Sequence, residues 1–194
     1  MTDQKTICVY CGASPNVDEK YKTATYQTGK SLAERGYRLV YGGGSSGLMG
    51  IVANSALEHD GDVIGIIPDH IDEREKKHPN LTKLHVVSSM HERKAMMANY
   101  SDIFLILPGG LGTMDEFFEI VTWKQLGLHD KKIIVYNMED YWGNLKLLLR
   151  NIGDKNFMKV ADEQLYCICD HLEQVLEEIE KAPFSNKDVK DNVV

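Results

Sequence analysis

The most restrictive feature of this sequence is a regular alternation between short β-branched runs and longer stretches with helical periodicity. Several runs, such as 103–107 and 132–136, are apolar without interruption, which is typical of strands covered on both faces of a parallel sheet. Strands are predicted at 7–11, 38–41, 63–67, 84–87, 103–107, 132–136 and 164–169. Helices are predicted at 18–35, 47–59, 90–100, 113–126, 141–152 and 171–181. Such alternation predicts an α/β fold with a doubly wound, mostly parallel sheet.

Composition limits the classes of function. The chain has 194 residues, of which 43% are apolar and 26% charged, as expected for one globular domain. We predict a single domain at 1–182 and a disordered tail at 183–194, which is polar and aperiodic. No apolar run approaches the roughly 20 residues of a bilayer span, and no secretory signal opens the sequence, so a cytoplasmic protein with four thiols is expected. A net charge of −7 argues against nucleic acid or an anionic membrane as a partner.

Glycine-rich turns follow three of the predicted strands, at 11–14, 42–50 and 108–113. In doubly wound sheets, ligands bind at the carboxyl ends of the strands. A glycine turn that leads into a helix exposes backbone N–H groups next to the positive end of the helix dipole, so it can hold a phosphate. The alternative is that these glycines only make tight turns, and for Gly12 both interpretations stay open. The candidate anion-binding residues in these turns are Gly12, Ser14, Gly43, Gly44, Gly109, Gly110, Gly112 and Thr113.

The stretch 42–47 also fits the G-x-G-x-x-G pattern of dinucleotide-binding sites. That pattern belongs on the first strand-to-helix turn, with an acidic residue about 20 positions later. Here it follows the second predicted strand, and the candidate acid, Asp69, is preceded by Pro68. The context therefore argues against an NAD site.

A positive cluster of His91, Arg93 and Lys94 opens the helix predicted at 90–100. Cations at a helix N-terminus oppose the helix dipole, so this placement carries a small stability cost. A guanidinium there can bind phosphate or carboxylate through two hydrogen bonds. A binding role is favoured over a merely solvated first turn.

Residues 113–116 (Thr-Met-Asp-Glu) fit a capping box, in which Thr113 is the N-cap and Glu116 closes the first turn. On the residues alone this structural role is favoured for Glu116. A functional role is compatible with it, because a side chain in the first turn leans back towards the preceding loop. The apolar helix 113–126, with Met90, Met96 and Met97, further predicts a surface for self-association.

Two cysteine pairs, Cys8-x-x-Cys11 and Cys167-x-Cys169, raise the alternative of a zinc site. Positions three apart on a strand point to opposite faces, so Cys8 and Cys11 cannot easily share a metal. The cysteines are interpreted as core thiols, and neither a metal nor a cofactor is expected.

Three motifs taken together resemble the Lonely Guy family, the cytokinin riboside 5'-monophosphate phosphoribohydrolases long labelled as possible lysine decarboxylases. They are G-G-G with G-L-M-G at 42–50, M-H-E-R-K at 90–94, and P-G-G-L-G-T-M-D-E at 108–116. The resemblance covers roughly residues 5 to 180, and the spacing of the motifs fits as well as their letters. It implies an α/β Rossmann-like fold with a doubly wound, mostly parallel sheet of about seven strands flanked by helices. It also implies a homodimer with the active site near the interface.

The resemblance assigns the catalytic roles to Arg93 and Glu116 and nucleotide binding to the loop 109–115. Further assigned binding residues are Lys94, Glu75 and Thr122, together with Leu111, Met114 and Asp115 within the loop. Leu111 stands where many members carry Tyr, and Asp115 where many carry Glu. Both departures bear on substrate preference rather than on the catalytic pair.

The implied function is hydrolysis of the N-glycosidic bond of an adenine or N6-substituted adenine nucleoside 5'-monophosphate, which releases the base and ribose 5-phosphate. The chemistry agrees, because an oxocarbenium-like sugar needs a carboxylate nearby, and Glu116 is the candidate. A carrier of nucleotide or molybdenum cofactor, without catalysis, is the alternative from another class. A pyridoxal-phosphate decarboxylase needs a Schiff-base lysine, and Lys94 stands beside an arginine that favours anion binding instead. The physiological base is not specified by any motif.

Overall fold

The computed structural model describes residues 4–69, 76–158 and 162–184. The strands are β1 (Thr6–Tyr10), β2 (Arg38–Tyr41), β3 (Val63–Pro68), β4 (Lys83–Val87), β5 (Ile103–Ile106), β6 (Lys132–Tyr136) and β7 (Cys167–Cys169). The helices are α1 (Glu19–Glu34), α2 (Gly47–Glu58), α3 (Met90–Tyr100), α4 (Leu111–Gln125), α5 (Gly143–Asp154), α6 (Asp162–Leu165) and α7 (Leu172–Lys181). A 3₁₀ turn, Met138–Asp140, follows β6. The prediction of a strand at 164–169 is wrong in its first half, because that part lies in or next to the short helix α6.

The seven described strands form one sheet in the order β4-β3-β2-β1-β5-β6-β7, and every pairing is parallel. The predicted α/β, doubly wound fold is confirmed. The chain starts in the middle of the sheet, builds outward to β4, and then crosses back to β5 on the other side of β1. Ile7 therefore lies beside Leu39 on one flank and Ile103 on the other. The order of the sheet switches between β1 and β5, where α/β folds open a ligand crevice.

Two apolar layers cover the faces of the sheet, because alternate side chains of each central strand point to opposite sides. In β1, Ile7 and Val9 pack with α1, α2 and α7, whereas Cys8 and Tyr10 pack with α3, α4, α5 and α6. The uninterrupted apolar runs are thus accounted for by burial on both faces. In the described ranges no helix is both long enough and apolar enough to cross a membrane.

The predicted self-association surface loses some of its residues to the core. Met97 is buried in the chain's own core, and so are Phe117, Ile120 and Val121 of α4. These residues face the sheet, whereas Met90 and Met96 of α3 and Phe118 and Trp123 of α4 are half-buried, so self-association through them stays a prediction. The large apolar side chains that α4 leaves exposed lie at its two ends, Leu111 and Leu126.

His129 packs below α4, where it forms two hydrogen bonds. Its Nδ1 accepts from the Lys131 backbone N–H at 3.2 Å, so Nε2 carries the hydrogen that is donated to the Ile120 carbonyl at 2.9 Å. Burial lowers the pKa of His129 from 6.5 to about 4, because it penalises the charged imidazolium. The ring is therefore neutral near pH 7.

Candidate active site

A cavity of about 610 Å³ opens at the carboxyl ends of β1, β2 and β5, next to the point where the strand order switches. Its walls come from the loops after β1 and β5, from the first turns of α1, α2, α3 and α4, and from the segment after β6. The lining residues are Cys11, Gly12, Ala13, Ser14, Val17, Asp18, Tyr21, Leu48, Met49, Met90, Arg93, Pro108, Gly109, Gly110, Gly112, Thr113, Asp115, Glu116 and Tyr141. Both predicted catalytic residues line this cavity.

The first and third glycine turns contact each other at the floor of the cavity. The Gly12 N–H donates to the Pro108 carbonyl at 3.0 Å, and a Cβ on Gly12 would lie 3.3 Å from the Cα of Gly109. The Gly12 carbonyl accepts from the N–H of Leu48 at 2.9 Å. Gly12 therefore joins the two turns, which is a structural role, while it also lines the cavity.

The loop at 108–113 leads into α4 earlier than predicted. Gly110 is the N-cap, and no side chain caps this helix. The predicted capping box is wrong, because Thr113 already lies inside the first turn, where its side chain fills the space that a Cβ on Gly109 would occupy. Glu116 consequently lies in the second turn rather than at a cap. It still lines the cavity.

Four helices, α1 to α4, begin beside the cavity, and side chains cap the starts of α1 and α3. At α1, the Asp18 carboxylate accepts from the N–H of Lys20 at 3.1 Å. At α3, the Ser89 hydroxyl accepts from the N–H of Glu92 at 3.1 Å. The first N–H groups of any helix have no acceptor within the helix. Neither α2 nor α4 has a side-chain cap, but the N–H of Leu48 in the first turn of α2 already donates to the Gly12 carbonyl at 2.9 Å. The start of α4 is therefore the more open of the two to a ligand anion.

The guanidinium of Arg93 is held at the wall of the cavity by the second glycine turn. Arg93 is only 5% exposed, and its Nη2 donates to the Gly42 carbonyl at 3.0 Å. A Cβ at position 42 would overlap Nη2, so the absence of a side chain on Gly42 creates the space for the guanidinium. The structure thereby sets a buried positive charge in the wall of the cavity that also contains the start of α4.

Lys94 forms ion pairs with two carboxylates of α4 instead of facing the cavity. Its Nζ lies 2.9 Å from Glu119 and 3.1 Å from Asp115. Burial alone would lower the pKa of Lys94, but its hydrogen bonds to Glu119 and Asp115 outweigh that effect and raise the pKa overall. Lys94 is not among the lining residues. Of its two partners, Asp115 reaches the cavity.

Gly43 and Gly44 do not line the cavity, in contrast to their assignment from sequence. The backbone of this turn pairs with residues 76–78: the Gly43 carbonyl accepts from His78 N–H at 3.0 Å, and Gly44 forms an antiparallel bridge with Lys77. The Gly44 carbonyl also accepts from the Tyr41 hydroxyl at 3.1 Å. Their backbone groups are used for folding.

Three other assigned residues also lie elsewhere. Leu111 is 90% exposed at the start of α4, Thr122 is exposed further along that helix, and Met114 packs against the core below α4. None of these three lines the cavity. Glu75 lies outside the described residues.

Tyr21 and Tyr141 are cavity residues that the sequence interpretation missed. Their rings meet edge to face, with centroids 5.5 Å apart, and the Tyr141 hydroxyl donates to the Gly109 carbonyl at 2.6 Å. Tyr141 follows β6 closely, so the rule that ligands bind beyond strand ends could have marked it. Tyr21 lies inside α1, and no sequence signal distinguishes it.

Cys8 and Cys11 lie on opposite faces of the sheet, as the strand geometry predicted. All four cysteines are thiols rather than disulfides. Burial raises the pKa of Cys8 to about 12, which makes it a poor nucleophile or metal ligand. Within residues 4–69, 76–158 and 162–184, no three histidine, cysteine or acidic side chains are grouped as a metal site would require.

Comparison with known proteins adds independent information. A family model described as "Possible lysine decarboxylase" matches residues 49–179. A cytokinin riboside 5'-monophosphate phosphoribohydrolase from Rhodococcoides fascians is 41% identical over 170 residues, which are 87% of this chain and 86% of that protein. One from Arabidopsis thaliana is 36% identical over 190 residues, which are 98% of this chain and 82% of that protein.

A solved structure of the molybdenum cofactor carrier protein from Chlamydomonas reinhardtii has the same fold. It superposes with a TM-score of 0.70 over 92% of this chain and 98% of that chain, at 18% sequence identity. At that identity the likeness concerns the fold alone. The enzyme relatives, by contrast, match in sequence over most of their own length, so the chain belongs to the Lonely Guy family of cytokinin riboside 5'-monophosphate phosphoribohydrolases.

Proposed function

We propose that this protein hydrolyses the N-glycosidic bond of a purine nucleoside 5'-monophosphate, with adenine or an N6-substituted adenine as the base. The observation that carries the proposal is that Arg93, Glu116 and the uncapped start of α4 line one cavity. The sequence relatives are named for this reaction on cytokinin ribosides.

The substrate phosphate binds at the loop 108–113. The N–H groups of Gly109, Gly110 and Gly112 and the hydroxyl of Thr113 are the donors, and the positive end of the α4 dipole adds to their attraction. Gly110 and Gly112 have open space where a Cβ would be, so a ligand can approach the backbone closely. This arrangement requires no metal ion.

The carboxylate of Glu116 acts at the ribose. Cleavage breaks the bond between the ribose C1' and the base nitrogen, and the electron pair leaves with the base, which is then protonated. Positive charge develops on the sugar, so a carboxylate beside it stabilises the transition state or takes a proton from the attacking water. The water oxygen bonds to C1', which gives the base and ribose 5-phosphate as products.

The guanidinium of Arg93 balances the negative charges that the reaction brings together. The substrate phosphate would share one cavity with the carboxylates of Glu116 and Asp115, so a fixed cation in the same cavity lowers their repulsion. The bond to the Gly42 carbonyl fixes the guanidinium before substrate arrives, so little reorganisation is needed during the reaction.

The test is release of adenine from AMP by the purified chain, with Glu116→Gln as the variant. Gln keeps the size of Glu116 but removes its charge, so turnover is expected to fall about a hundredfold or more. Glu119→Gln is the matched control, because Glu119 lies one turn further along α4, pairs with Lys94 and does not line the cavity.

The result for Glu119→Gln should stay within about threefold of the parent chain. Near-normal turnover by Glu116→Gln would contradict the catalytic role of Glu116. Tight binding of AMP without any release of base would instead support the carrier function.

We further propose that the protein is a cytoplasmic homodimer, in which each chain forms one nucleotide-binding domain at 1–182. The thiol state of the cysteines supports a reducing compartment. The half-buried Met90 and Met96 of α3 and Phe118 and Trp123 of α4, together with the exposed Leu111, support an interface close to the site. A sedimentation mass near that of one 21.9 kDa chain at micromolar concentration would contradict the dimer.

A further inference from the structure

We propose that Tyr141 is a positioning residue that holds the phosphate-binding loop in its anion-accepting form. The inference rests on the proposed function, since it takes the loop 108–113 as the site of the substrate phosphate. The central contact is the hydrogen bond from the Tyr141 hydroxyl to the Gly109 carbonyl, at 2.6 Å. It joins the segment after β6 to the loop after β5, across 32 positions of sequence.

The Gly109 carbonyl belongs to the same planar peptide unit as the N–H of Gly110. Glycine on both sides of that unit leaves its rotation weakly restrained, and a Cβ on Gly110 would meet nothing within 4 Å. A donor on the carbonyl therefore fixes the orientation of the adjacent N–H. It also covers an oxygen whose negative partial charge would repel a phosphate close by.

The chain maintains Tyr141 at a conformational cost. Glu139 and Asp140, immediately before it, both adopt left-handed backbone angles, with φ of 51° and 55°. Such angles are unfavourable for residues other than glycine and persist only where surrounding contacts impose them. Two strained residues in succession point to a constraint on the position of Tyr141.

The side chain of Asn137 supplies those contacts. Its carbonyl accepts from the N–H of Trp142 at 2.7 Å, and its amide donates to Asp140 at 3.1 Å and to Asp170 at 2.8 Å. Asn137 is buried, and its bond to the Trp142 N–H is buried with it. These hydrogen bonds of Asn137 hold the turn that contains Glu139 and Asp140, and they place Tyr141 at the cavity.

Aromatic contacts fix the ring of Tyr141 from two sides. It meets Tyr21 of α1 at 5.5 Å and Trp142 at 4.7 Å, both edge to face. Tyr141 is still 40% exposed and lines the cavity, so the hydroxyl can be removed without opening a void in the core. Tyr141→Phe thus isolates the contribution of the hydrogen bond.

The experiment compares the parent chain, Tyr141→Phe and the control Tyr26→Phe. Tyr26 also donates a hydrogen bond from its hydroxyl, to Glu58 at 2.9 Å, but it lies outside the cavity. Two quantities are measured: the steady-state rate of base release from AMP, and the affinity for inorganic phosphate by titration calorimetry. Thermal melting of the three proteins checks that their folds are equally stable.

We expect Tyr141→Phe to raise the KM for AMP about three- to tenfold, with kcat within about twofold, because the lost bond serves binding of the phosphate equally in the ground and transition states. Its affinity for inorganic phosphate should fall by a similar factor. Tyr26→Phe should change neither quantity. A purely structural role of Tyr141 would lower the melting temperature without this selective change in KM.

Unchanged KM and phosphate affinity in Tyr141→Phe would overturn the inference, and so would a fall in kcat at constant KM. If the parent chain binds phosphate but releases no base from AMP, the proposed function fails, while the calorimetric comparison still decides the role of Tyr141. If the parent chain binds no phosphate, the anion site itself is refuted, and the inference with it.

Discussion

Gly42→Ala tests whether the second glycine turn serves the active site by making room for Arg93. Because a Cβ at position 42 would overlap Nη2 of Arg93 and lie 2.9 Å from its Cζ, the guanidinium must move by an ångström or more. Met49 Sδ, at 3.3 Å, leaves little further space. The φ angle of Gly42 is not in the left-handed region, so alanine can adopt the backbone conformation.

The expected loss concerns activity more than stability. Displacement of a catalytic group by about 1 Å can cost on the order of a hundredfold in rate, so kcat/KM for AMP should fall by about that factor. The atom that must yield is the end of a long side chain rather than backbone, so the free energy of unfolding should fall by only about 1–3 kcal/mol, the usual range for overpacking.

A double-mutant cycle with Arg93→Ala decides the mechanism. Adenine release is measured for both single variants and for the double variant, and urea denaturation gives their stabilities. If Gly42→Ala acts through Arg93, it should cost almost nothing further once the guanidinium is gone. Additive losses, or a single Gly42→Ala variant with at least a third of the parent activity, would refute the reasoning.

Three further outcomes are expected. Lys94→Ala leaves the Asp115 carboxylate at the cavity without its cation, so the KM for AMP should rise about three- to tenfold at near-constant kcat, and Asp115→Asn in the same chain should reverse most of the rise. Adenosine should be cleaved several orders of magnitude less efficiently than AMP, because the donors at the start of α4 would stay unpaired, and comparable specificity constants would contradict this phosphate site. His129, with its pKa lowered to about 4, stays neutral in the folded chain while the unfolded chain binds a proton below pH 6.5. The parent chain should therefore lose on the order of 2 kcal/mol more stability than His129→Gln between pH 7 and pH 5, measured by urea denaturation, and equal losses would contradict this assignment.

The sheet could be predicted from sequence because the burial of a strand requires a recognisable pattern of apolar residues. Runs such as 103–107 are apolar on both faces, and the glycines after β1, β2 and β5 mark where the strands end. The predicted strand at 164–169 begins too early, because this stretch is rich in apolar residues throughout. Tyr166, which is buried next to Phe117 at 5.8 Å between ring centroids, belongs to the link before β7.

The start of α4 could not be predicted from local rules. Gly110 and Gly112 are poor helix formers, and Thr113 followed by Glu116 fits a cap, so propensity favours a later start. Tertiary contacts decide otherwise, because Thr113 packs onto Gly109 and Phe117 fills the core on the same helix. The earlier start brings Gly112 and Thr113 into the first turn, where their N–H groups lack helical acceptors.

The partners of Lys94 show that a sequence motif does not specify which way a side chain points. A lysine beside Arg93 in the sequence indicated a second cation for the substrate, but its neighbours in space come from α4, about twenty positions further along the chain. Adjacent helical residues point about 100° apart, so two neighbouring cations need not face one cavity. Here the side chain of Arg93 contacts the second glycine turn, whereas that of Lys94 contacts α4.

A glycine motif in the sequence does not distinguish a turn that binds a ligand from one that only serves the fold, but the contacts around each turn do. All three turns look like phosphate cradles in sequence, yet the backbone at 43–45 is already paired with residues 76–78, and the Gly12 turn joins its neighbours through both its N–H and its carbonyl. A backbone group that the fold has used cannot also receive a ligand without losing a hydrogen bond. Of the three, the turn into α4 is the one that combines an uncapped helix start with open space above two of its glycines, Gly110 and Gly112. The other two turns support it, since one holds Arg93 and the other holds the Pro108 carbonyl.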